Sequence, residues 1–180
     1  MGKELELNRF RELDQKPLRQ ATLCFLLREN DNGQEILLAM KKRGFGKGWW
    51  NGSGGKVNSD QGETIEQALQ RELFEEIGVM PQRITKVAVL RFFFPLVPEN
   101  QDWNQEVHVF FINEWEGEPA ESEEMLPRWF GADEIPFEQM WPDDPHWLPR
   151  VLQDEKLKAT FIFGEENKIE DLEIINVSEL

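Results

Sequence analysis

The chain has 180 residues, with 20 basic and 35 acidic side chains, so its formal net charge at neutral pH is −15. This length supports one core, and no segment approaches the run of about 20 apolar residues that a membrane-spanning helix needs. The charge repels polyanions, which disfavours duplex nucleic acid as a partner. We expect a polar leader over residues 1–17, one domain over 18–180, a monomer, a cytoplasmic location and no membrane contact.

Two strands are predicted near the start of the domain, at 22–27 and 35–40. The sequence Asn-Asp-Asn-Gly at 30–33 lies between them and favours a turn, so the two strands should form a hairpin. Cys24 lies in the apolar part of the first strand. Because it is the single cysteine, an intramolecular disulfide is excluded, and we expect a buried and unreactive thiol.

A glycine-rich segment follows the hairpin, with Gly52, Gly54 and Gly55 next to Lys56. Glycine lets the backbone pass close to a ligand, and the lysine adds a positive charge beside it. Such a segment is a weak signal by itself. Its place directly before a helix rich in glutamate makes it a candidate phosphate site.

The ends of that helix are well marked in the sequence. Thr64 and Gln67 match a capping box at its start, and Gly78 can adopt the left-handed conformation that stops a helix. Apolar residues between these ends recur at the spacing of one buried face. They are Ile65, Leu69, Leu73 and Ile77.

Three carboxylates converge along one side of the same helix. Glu72, Glu75 and Glu76 are spaced i, i+3 and i+4, and Glu72 and Glu76 border the apolar face. A solvated charged face would also give this pattern. However, carboxylates at the edge of a core need a counter-charge, and Mg²⁺ held by one or two carboxylates and substrate phosphates would supply it.

The second half of the chain predicts strands and one more helix. We expect strands at 86–94, 107–115, 159–163 and 169–177, a loop at 95–104 and a helix at 146–155. Glu124, in the segment Glu-Ser-Glu-Glu-Met at 121–125, is expected to lie in a loop. Strands on both sides of the glutamate helix indicate an α/β fold, with a mixed sheet that carries helices on its faces.

The segment Met-Trp-Pro-Asp-Asp at 140–144 has the chemistry of a base-binding site. The Trp141 indole can stack on a base, and Asp143 and Asp144 can read its donor and acceptor edges. Repulsion and burial should raise one pKa, which leaves one protonated donor and one carboxylate acceptor. The alternative is structural: Trp141 belongs to the core, Pro142 opens a helix, and one aspartate caps it.

The glutamate helix and the segment before it resemble the signature of the Nudix hydrolases. The residues that carry the resemblance are Gly55, Glu63, Arg71, Glu72, Leu73, Glu75, Glu76, Gly78 and Val79. Seven residues, 56–62, separate the first glycine from the first glutamate, where the family usually has about five. Because these residues are polar, we expect a longer loop and an intact helix. In the family this glutamate pairs with the arginine, so the position of Glu63 relative to Arg71 tests the effect of the longer loop.

Segments along residues 22–163 are similar to members of the MutT class that act on oxidised purine nucleoside triphosphates. This resemblance implies an α/β/α sandwich and hydrolysis of such substrates, of the 8-oxo-dGTP and 2-hydroxy-dATP type, to a monophosphate and pyrophosphate. It implies Mg²⁺ as cofactor, with Mn²⁺ as a possible substitute, and a small nucleotide as partner. The metal ligands that it implies are Glu72, Glu75, Glu76, Glu124 and the Gly54 carbonyl, and the catalytic residues are Glu72, Glu75, Glu76 and Arg71.

The same resemblance implies a set of substrate contacts. Asn51 would supply an amide to a second base edge and Phe92 a second wall against the base. The further contacts that it implies are Thr22, Lys41, Phe45, Ser53, Gly55, Lys56, Met125, Trp141, Asp143, Asp144 and Trp147. From the residues alone, Phe45, Met125 and Trp147 would more often belong to an ordinary core, and Lys41 and Glu124 would more often be solvated surface charges.

Two other functions remain open at this stage. Another Nudix substrate, such as a dinucleoside polyphosphate, a nucleotide sugar or a capped RNA, would not need Asp143 and Asp144. A binding module without turnover would not need the three glutamates of the helix. Glu76 or Glu75 is expected to be the most important of the three for turnover.

Overall fold

The structure, a computed structural model, describes residues 18–180, and the leader expected over 1–17 lies outside the described residues. Its α-helices and strands, in chain order, are β1 (Arg19–Asn30), β2 (Gly33–Lys41), β3 (Trp50–Asn51), α1 (Ile65–Ile77), β4 (Met80–Phe93), β5 (Gln105–Glu116), β6 (Met125–Gly131), α2 (Asp144–Val151), β7 (Leu157–Phe163) and β8 (Ile169–Asn176). In this part of the chain, no helix is long and apolar enough to cross a membrane.

The strands form one mixed sheet in the order β3-β2-β1-β5-β4-β7-β8, and β6 pairs with β2. Two neighbouring pairs are parallel, β1 with β5 and β4 with β7. The other pairs are antiparallel, including the predicted β1–β2 hairpin. The prediction of a mixed sheet is therefore confirmed.

Each helix covers a different face of the sheet. The buried residues Leu69, Leu73 and Ile77 of α1 pack in a cluster with Leu26 and Ile112. On the other face α2 packs against a second, larger cluster. Its buried residues include Trp147, Leu148 and Val151 of α2, together with Phe25 and Phe161 of the sheet. Two separate apolar clusters on the two faces confirm the predicted α/β/α sandwich.

The ends of α1 are formed by the predicted residues. The Thr64 hydroxyl accepts from the Gln67 backbone N–H at 3.2 Å, and the Gln67 side chain accepts from the Thr64 N–H at 2.9 Å. Gly78 has a positive φ of 76° and ends the helix. The longer loop before α1 forms a short 3₁₀ turn at Ser59–Gln61, so the extra residues leave the helix intact.

Several elements differ from the prediction. β4 begins at Met80, ahead of the predicted start at 86. No strand was predicted over β6, which pairs along β2 and tolerates the missing N–H of Pro127. The helix predicted at 146–155 begins at Asp144 and ends at Val151. After Val151 the chain continues in tighter turns, with bonds from the Gln153 N–H to the Arg150 carbonyl at 3.0 Å and from the Asp154 N–H to the Val151 carbonyl at 3.1 Å. Asp154 then has a left-handed φ of 66°.

Candidate active site

A cavity of about 280 Å³ opens between the glycine-rich segment and the start of α2. Thirteen of the predicted site residues line it: Thr22, Lys41, Phe45, Asn51, Gly54, Gly55, Lys56, Glu76, Phe92, Met125, Trp141, Asp143 and Asp144. Gly52, from the predicted glycine-rich segment, lines it as well. The remaining lining residues were not predicted as contacts: Ala21, Leu23, Gly46, Trp49, Phe94, Gln105, Val107 and Phe163. One end of the cavity is acidic and glycine-rich, and the other end is aromatic.

Glu76 lies at the acidic end and is buried, with 9% of its surface exposed. Its Oε2 accepts a hydrogen bond of 2.9 Å from the Gly54 backbone N–H. Burial raises the pKa of Glu76 to about 8, and the charges of Glu72 and Glu124 add to this, while the Gly54 N–H and Lys41 act in the opposite direction. A buried carboxylate with a raised pKa is stabilised when it binds a cation or a proton.

The two glycines beside this carboxylate are required by close packing. A Cβ on Gly54 would lie 2.1 Å from the Thr22 carbonyl oxygen, and one on Gly55 would lie 2.5 Å from the Glu72 carboxyl group. Side chains at either position would therefore collide with the strand or with the carboxylate. The backbone of this segment and the carboxylates of α1 thus form one continuous surface.

Arg71 connects the helix to the loop before it. Its Nε donates to Glu63 Oε1 at 2.7 Å and its Nη2 to Glu63 Oε2 at 3.0 Å, and Nη1 donates to Glu72 Oε1 at 2.6 Å. Nη2 also donates to the Lys56 carbonyl at 3.0 Å. The longer loop therefore leaves the arginine–glutamate pair intact. The position of Glu72 follows from this pair, because its carboxylate is held by the same guanidinium.

We predict that Glu63→Gln lowers the free energy of unfolding by about 1–2 kcal/mol, because it removes the charge from a two-point hydrogen bond to Arg71. The side chain of Glu63 is 14% exposed, so solvent screens this pair only in part. Glu66→Gln, in the exposed first turn of the same helix, should change stability by a few tenths of a kcal/mol. Urea unfolding measures both variants, and equal losses would contradict the prediction.

The donor set at this end fits a divalent cation. Glu72 and Glu76 both face the Gly54–Gly55 backbone, and one or two carboxylates are what Mg²⁺ takes from a protein when phosphates and waters supply the rest. Glu75 is more than half exposed and lies 3.5 Å from Arg71. The half-exposed Glu124 carboxylate is bound by Arg43. Within residues 18–180, no three His, Cys, Asp or Glu side chains lie together as a set that could hold a metal ion, so the four predicted glutamates do not converge.

The aromatic end of the cavity holds the two predicted aspartates, both buried. Asp143 Oδ2 accepts from the Trp147 indole Nε1 at 3.0 Å, and Asp144 Oδ2 accepts from the Trp141 backbone N–H at 3.0 Å. Burial raises the pKa of Asp143 to about 6. It raises the pKa of Asp144 well above its usual value, and the charge of Asp143 adds to this effect. Burial and mutual repulsion therefore favour a protonated carboxyl in this pair.

The structural alternative for this segment is not supported. Asp143 stands at the cap position of α2 but makes no side-chain capping bond, and its carboxylate binds Trp147 instead. Trp141 is half-buried and lines the cavity, so it does not belong to the core. Two predicted contacts lie elsewhere. Trp147 is fully buried behind Asp143, and Ser53 is buried where its backbone pairs with Cys24.

Aromatic rings surround the mouth of the cavity at this end. The Trp141 ring centroid lies 5.2 Å from that of Phe45 and 5.3 Å from that of Trp49. Phe45 lies 4.7 Å from Trp103, which contacts Phe94 at 5.5 Å. Sequence reasoning missed most of this rim because its members come from distant segments. The available signal was the density of aromatic residues on both sides of the 95–104 loop.

We predict that Asp144→Asn stabilises the protein by at least about 1 kcal/mol at about pH 8 and by less at about pH 5. A carboxyl whose pKa is raised on folding binds its proton more tightly in the native state. Its favourable contribution is complete below the unfolded pKa and is lost as the pH rises through the folded pKa. Asparagine cannot ionise, so the variant escapes this loss.

Urea unfolding of the two proteins at both pH values measures this difference. Asp31→Asn is the control, because Asp31 is exposed in the turn between β1 and β2 and should show the same small change at both pH values. A gain for Asp144→Asn that does not depend on pH would contradict the prediction.

Comparison with known proteins gives consistent matches. A family described as NUDIX domain matches residues 17–151. The chain is 47% identical to the "Oxidized purine nucleoside triphosphate hydrolase" of Danio rerio over 81% of its own length and 89% of that protein. It is 48% identical to the Mus musculus protein of the same name, over 76% and 83% of the two chains. A MutT protein from Bacillus halodurans has a similar fold, with a TM-score of 0.69, 25% identity and coverage of 87% of this chain and 97% of that one.

Proposed function

This chain is a hydrolase of the NUDIX domain family, and from that membership we propose that it hydrolyses oxidised purine nucleoside triphosphates. The products are the nucleoside monophosphate and pyrophosphate, and the activity removes damaged nucleotides from the nucleotide pool. The observation that carries this proposal is one cavity that joins the buried Asp143–Asp144 pair to the buried carboxylate of Glu76.

Nudix hydrolases generally use a divalent metal, and we propose Mg²⁺ in this chain, with Mn²⁺ as a substitute. Glu72 and Glu76 would hold it with the Gly54 backbone, and it would neutralise phosphate charge and lower the pKa of a bound water. Arg71 keeps Glu72 in position through its bond to the carboxylate. Glu75 and Glu124 are less well placed as metal ligands, because the side chain of each is at least half exposed.

The phosphate chain of the substrate lies along the glycine-rich segment in this proposal. Lys41 and Lys56 line the same part of the cavity and supply positive charge where the protein as a whole is acidic. The local field dominates there, because the distant charges are screened over a Debye length of about 8 Å at physiological salt. Thr22 contributes a hydroxyl close to the Gly55 backbone.

The oxidised base lies at the aromatic end. Internal hydrogen bonds use Oδ2 of both Asp143 and Asp144, so Oδ1 of each is the atom assigned to the base. One protonated and one ionised carboxyl supply a donor and an acceptor, and exchanging the proton adapts the pair to an oxidised guanine or an oxidised adenine. Trp141 stacks on one side and Phe92 lines the other.

Asn51 supplies a further donor to the ligand. Its Oδ1 accepts from the Gly52 backbone N–H at 2.8 Å, so the amide NH₂ is the group left to donate into the cavity. This fixes the orientation of the amide and makes Asn51 a donor site.

The protein acts on free nucleotides as a monomer in the cytoplasm in this proposal. Residues of one chain line the whole cavity, so a second copy is not needed to complete it. The net charge of −15 disfavours binding to duplex nucleic acid or to an anionic membrane surface.

A panel of nucleoside triphosphates, with and without oxidised purines, tests the proposal when pyrophosphate release is measured with Mg²⁺. Turnover should be fastest with an oxidised purine. Preference for a dinucleoside polyphosphate, a nucleotide sugar or a capped RNA would keep the hydrolase and replace the substrate. Absence of turnover with the whole panel would favour a binding module.

A further inference from the structure

The loop between β4 and β5 places one aromatic side chain at a defined position. Its base is closed by a hydrogen bond of 2.8 Å from the Phe94 backbone N–H to Asn104 Oδ1. Near its end Asp102 adopts a left-handed φ of 51° and lies 3.3 Å from Arg19 Nη1. A non-glycine residue in this conformation needs support from its surroundings. Trp103 lies between Asp102 and Asn104, the two loop residues that make these contacts.

Trp103 contacts two rings of the cavity wall without lining the cavity itself. Its ring centroid lies 4.7 Å from that of Phe45 and 5.5 Å from that of Phe94. Phe94 is in turn stacked on Phe163, with centroids 4.8 Å apart and planes 7° from parallel. Trp103 is therefore supported on one side by the sheet, and it supports Phe45 on the other.

Phe45 needs such support because its own segment gives it little. The side chain is 55% exposed, and it is flanked by Gly44 and Gly46, which have φ values of 73° and 82°. A glycine on each side of Phe45 gives the backbone many accessible conformations unless other contacts restrict it. The ring contacts of Phe45 are with Trp141 and Trp103, one inside the cavity and one outside it.

We propose that Trp103 is a positioning residue that holds Phe45 over the aromatic end of the cavity and so sets the affinity for the purine base. This inference rests on the proposed function, since it assigns that end to the base. Trp103 acts through Phe45 and does not touch the substrate. Because the phosphates lie at the opposite end, it affects binding and leaves the reacting groups undisturbed.

The first experiment is Trp103→Ala, with kinetics on an oxidised purine nucleoside triphosphate. KM should rise by about 5- to 10-fold, the size expected for the loss of one aromatic contact, while kcat stays within about twofold. Trp103→Phe should restore most of the affinity. The control is Trp115→Ala, which removes an indole stacked on Trp129 outside the cavity and should leave KM unchanged.

A double-mutant cycle with Phe45→Ala distinguishes positioning from a direct or general effect. If Trp103 acts through Phe45, Trp103→Ala should add almost nothing once Phe45 is an alanine. Equal effects of Trp103→Ala in both backgrounds, or an unchanged KM in the single variant, would overturn the proposal. Trp103→Leu replaces the alanine variant if that variant does not fold, with the same expected result.

The cycle should be repeated with binding of the oxidised purine nucleoside monophosphate, measured by calorimetry. This readout needs no turnover. If the wild type binds the monophosphate and the cycle is additive, the role of Trp103 is refuted while the proposed function stands. If the wild type hydrolyses no oxidised purine substrate and does not bind the monophosphate, the proposed function fails.

Discussion

Glu76→Gln should lower kcat by about 10³-fold while the protein stays folded. The loss of one charged group at a phosphoryl-transfer centre removes several kcal/mol of transition-state stabilisation. Glu76 is the buried carboxylate at the acidic end of the cavity and is bonded to Gly54. Glutamine keeps the acceptor for that bond, so the change tests the charge. Steady-state turnover with saturating substrate and Mg²⁺ measures the effect.

Two variants of the same helix make this result specific. Glu66→Gln removes a charge from an exposed position and should leave kcat unchanged. Glu75→Gln should cost less than Glu76→Gln, because Glu75 is more than half exposed and pairs with Arg71. Near-normal turnover of Glu76→Gln with a circular dichroism spectrum like that of the wild type would refute the assignment.

Asp143→Asn and Asp144→Asn should each lower kcat/KM for an oxidised purine triphosphate by about 10²-fold. A site that is built to hydrogen-bond a substrate group discriminates strongly, and a buried donor or acceptor left without a partner costs about 1–3 kcal/mol. Asparagine can still accept from the Trp147 indole or the Trp141 N–H. However, it cannot exchange a proton with its neighbour, so the adaptable pair is lost.

The informative quantity is the ratio of kcat/KM between an oxidised purine and its unmodified counterpart. This ratio should fall in at least one variant, whereas Asp31→Asn, in an exposed turn, should keep it. If both cavity variants kept the wild-type ratio, the enzyme would not read the base, and another Nudix substrate would be the better assignment. Together with the pH-dependent gain in stability for Asp144→Asn, a lower ratio would show that the site gives up stability for recognition.

The glutamate helix could be predicted because its signals are local. Thr64, Gln67 and Gly78 determine its ends within a few residues of where they act, and the structure confirms all three. The Arg71–Glu63 pair was harder to predict, since it depends on how the longer loop folds. The 3₁₀ turn in that loop absorbs the extra residues, and the pair forms.

The wall of the cavity could be predicted only in part. Resemblance to the family supplied most of the lining residues. Phe94, directly after β4, and Phe163, at the end of β7, were missed because they are far apart in the sequence and stack only in the folded structure. Trp147 shows the opposite case. Its apolar spacing in a helix is the same for a core residue and for a cavity wall, and the structure places it in the core. Periodicity identifies a buried face but does not distinguish a face that packs against the core from one that lines a cavity.

The strand pairing described above also determines when the cavity can exist during synthesis. The first strand in the sequence, β1, pairs along most of its length with β5, so Arg19 can pair only after Gln105 has been synthesised. Phe92 on β4 and Phe163 on β7 both line the cavity, and they come together only when β7 pairs with β4. Parallel pairing over such distances is slow. A nascent chain that has reached residue 151 therefore contains α1 but lacks Phe163, and its pocket is complete only after β7 has been added.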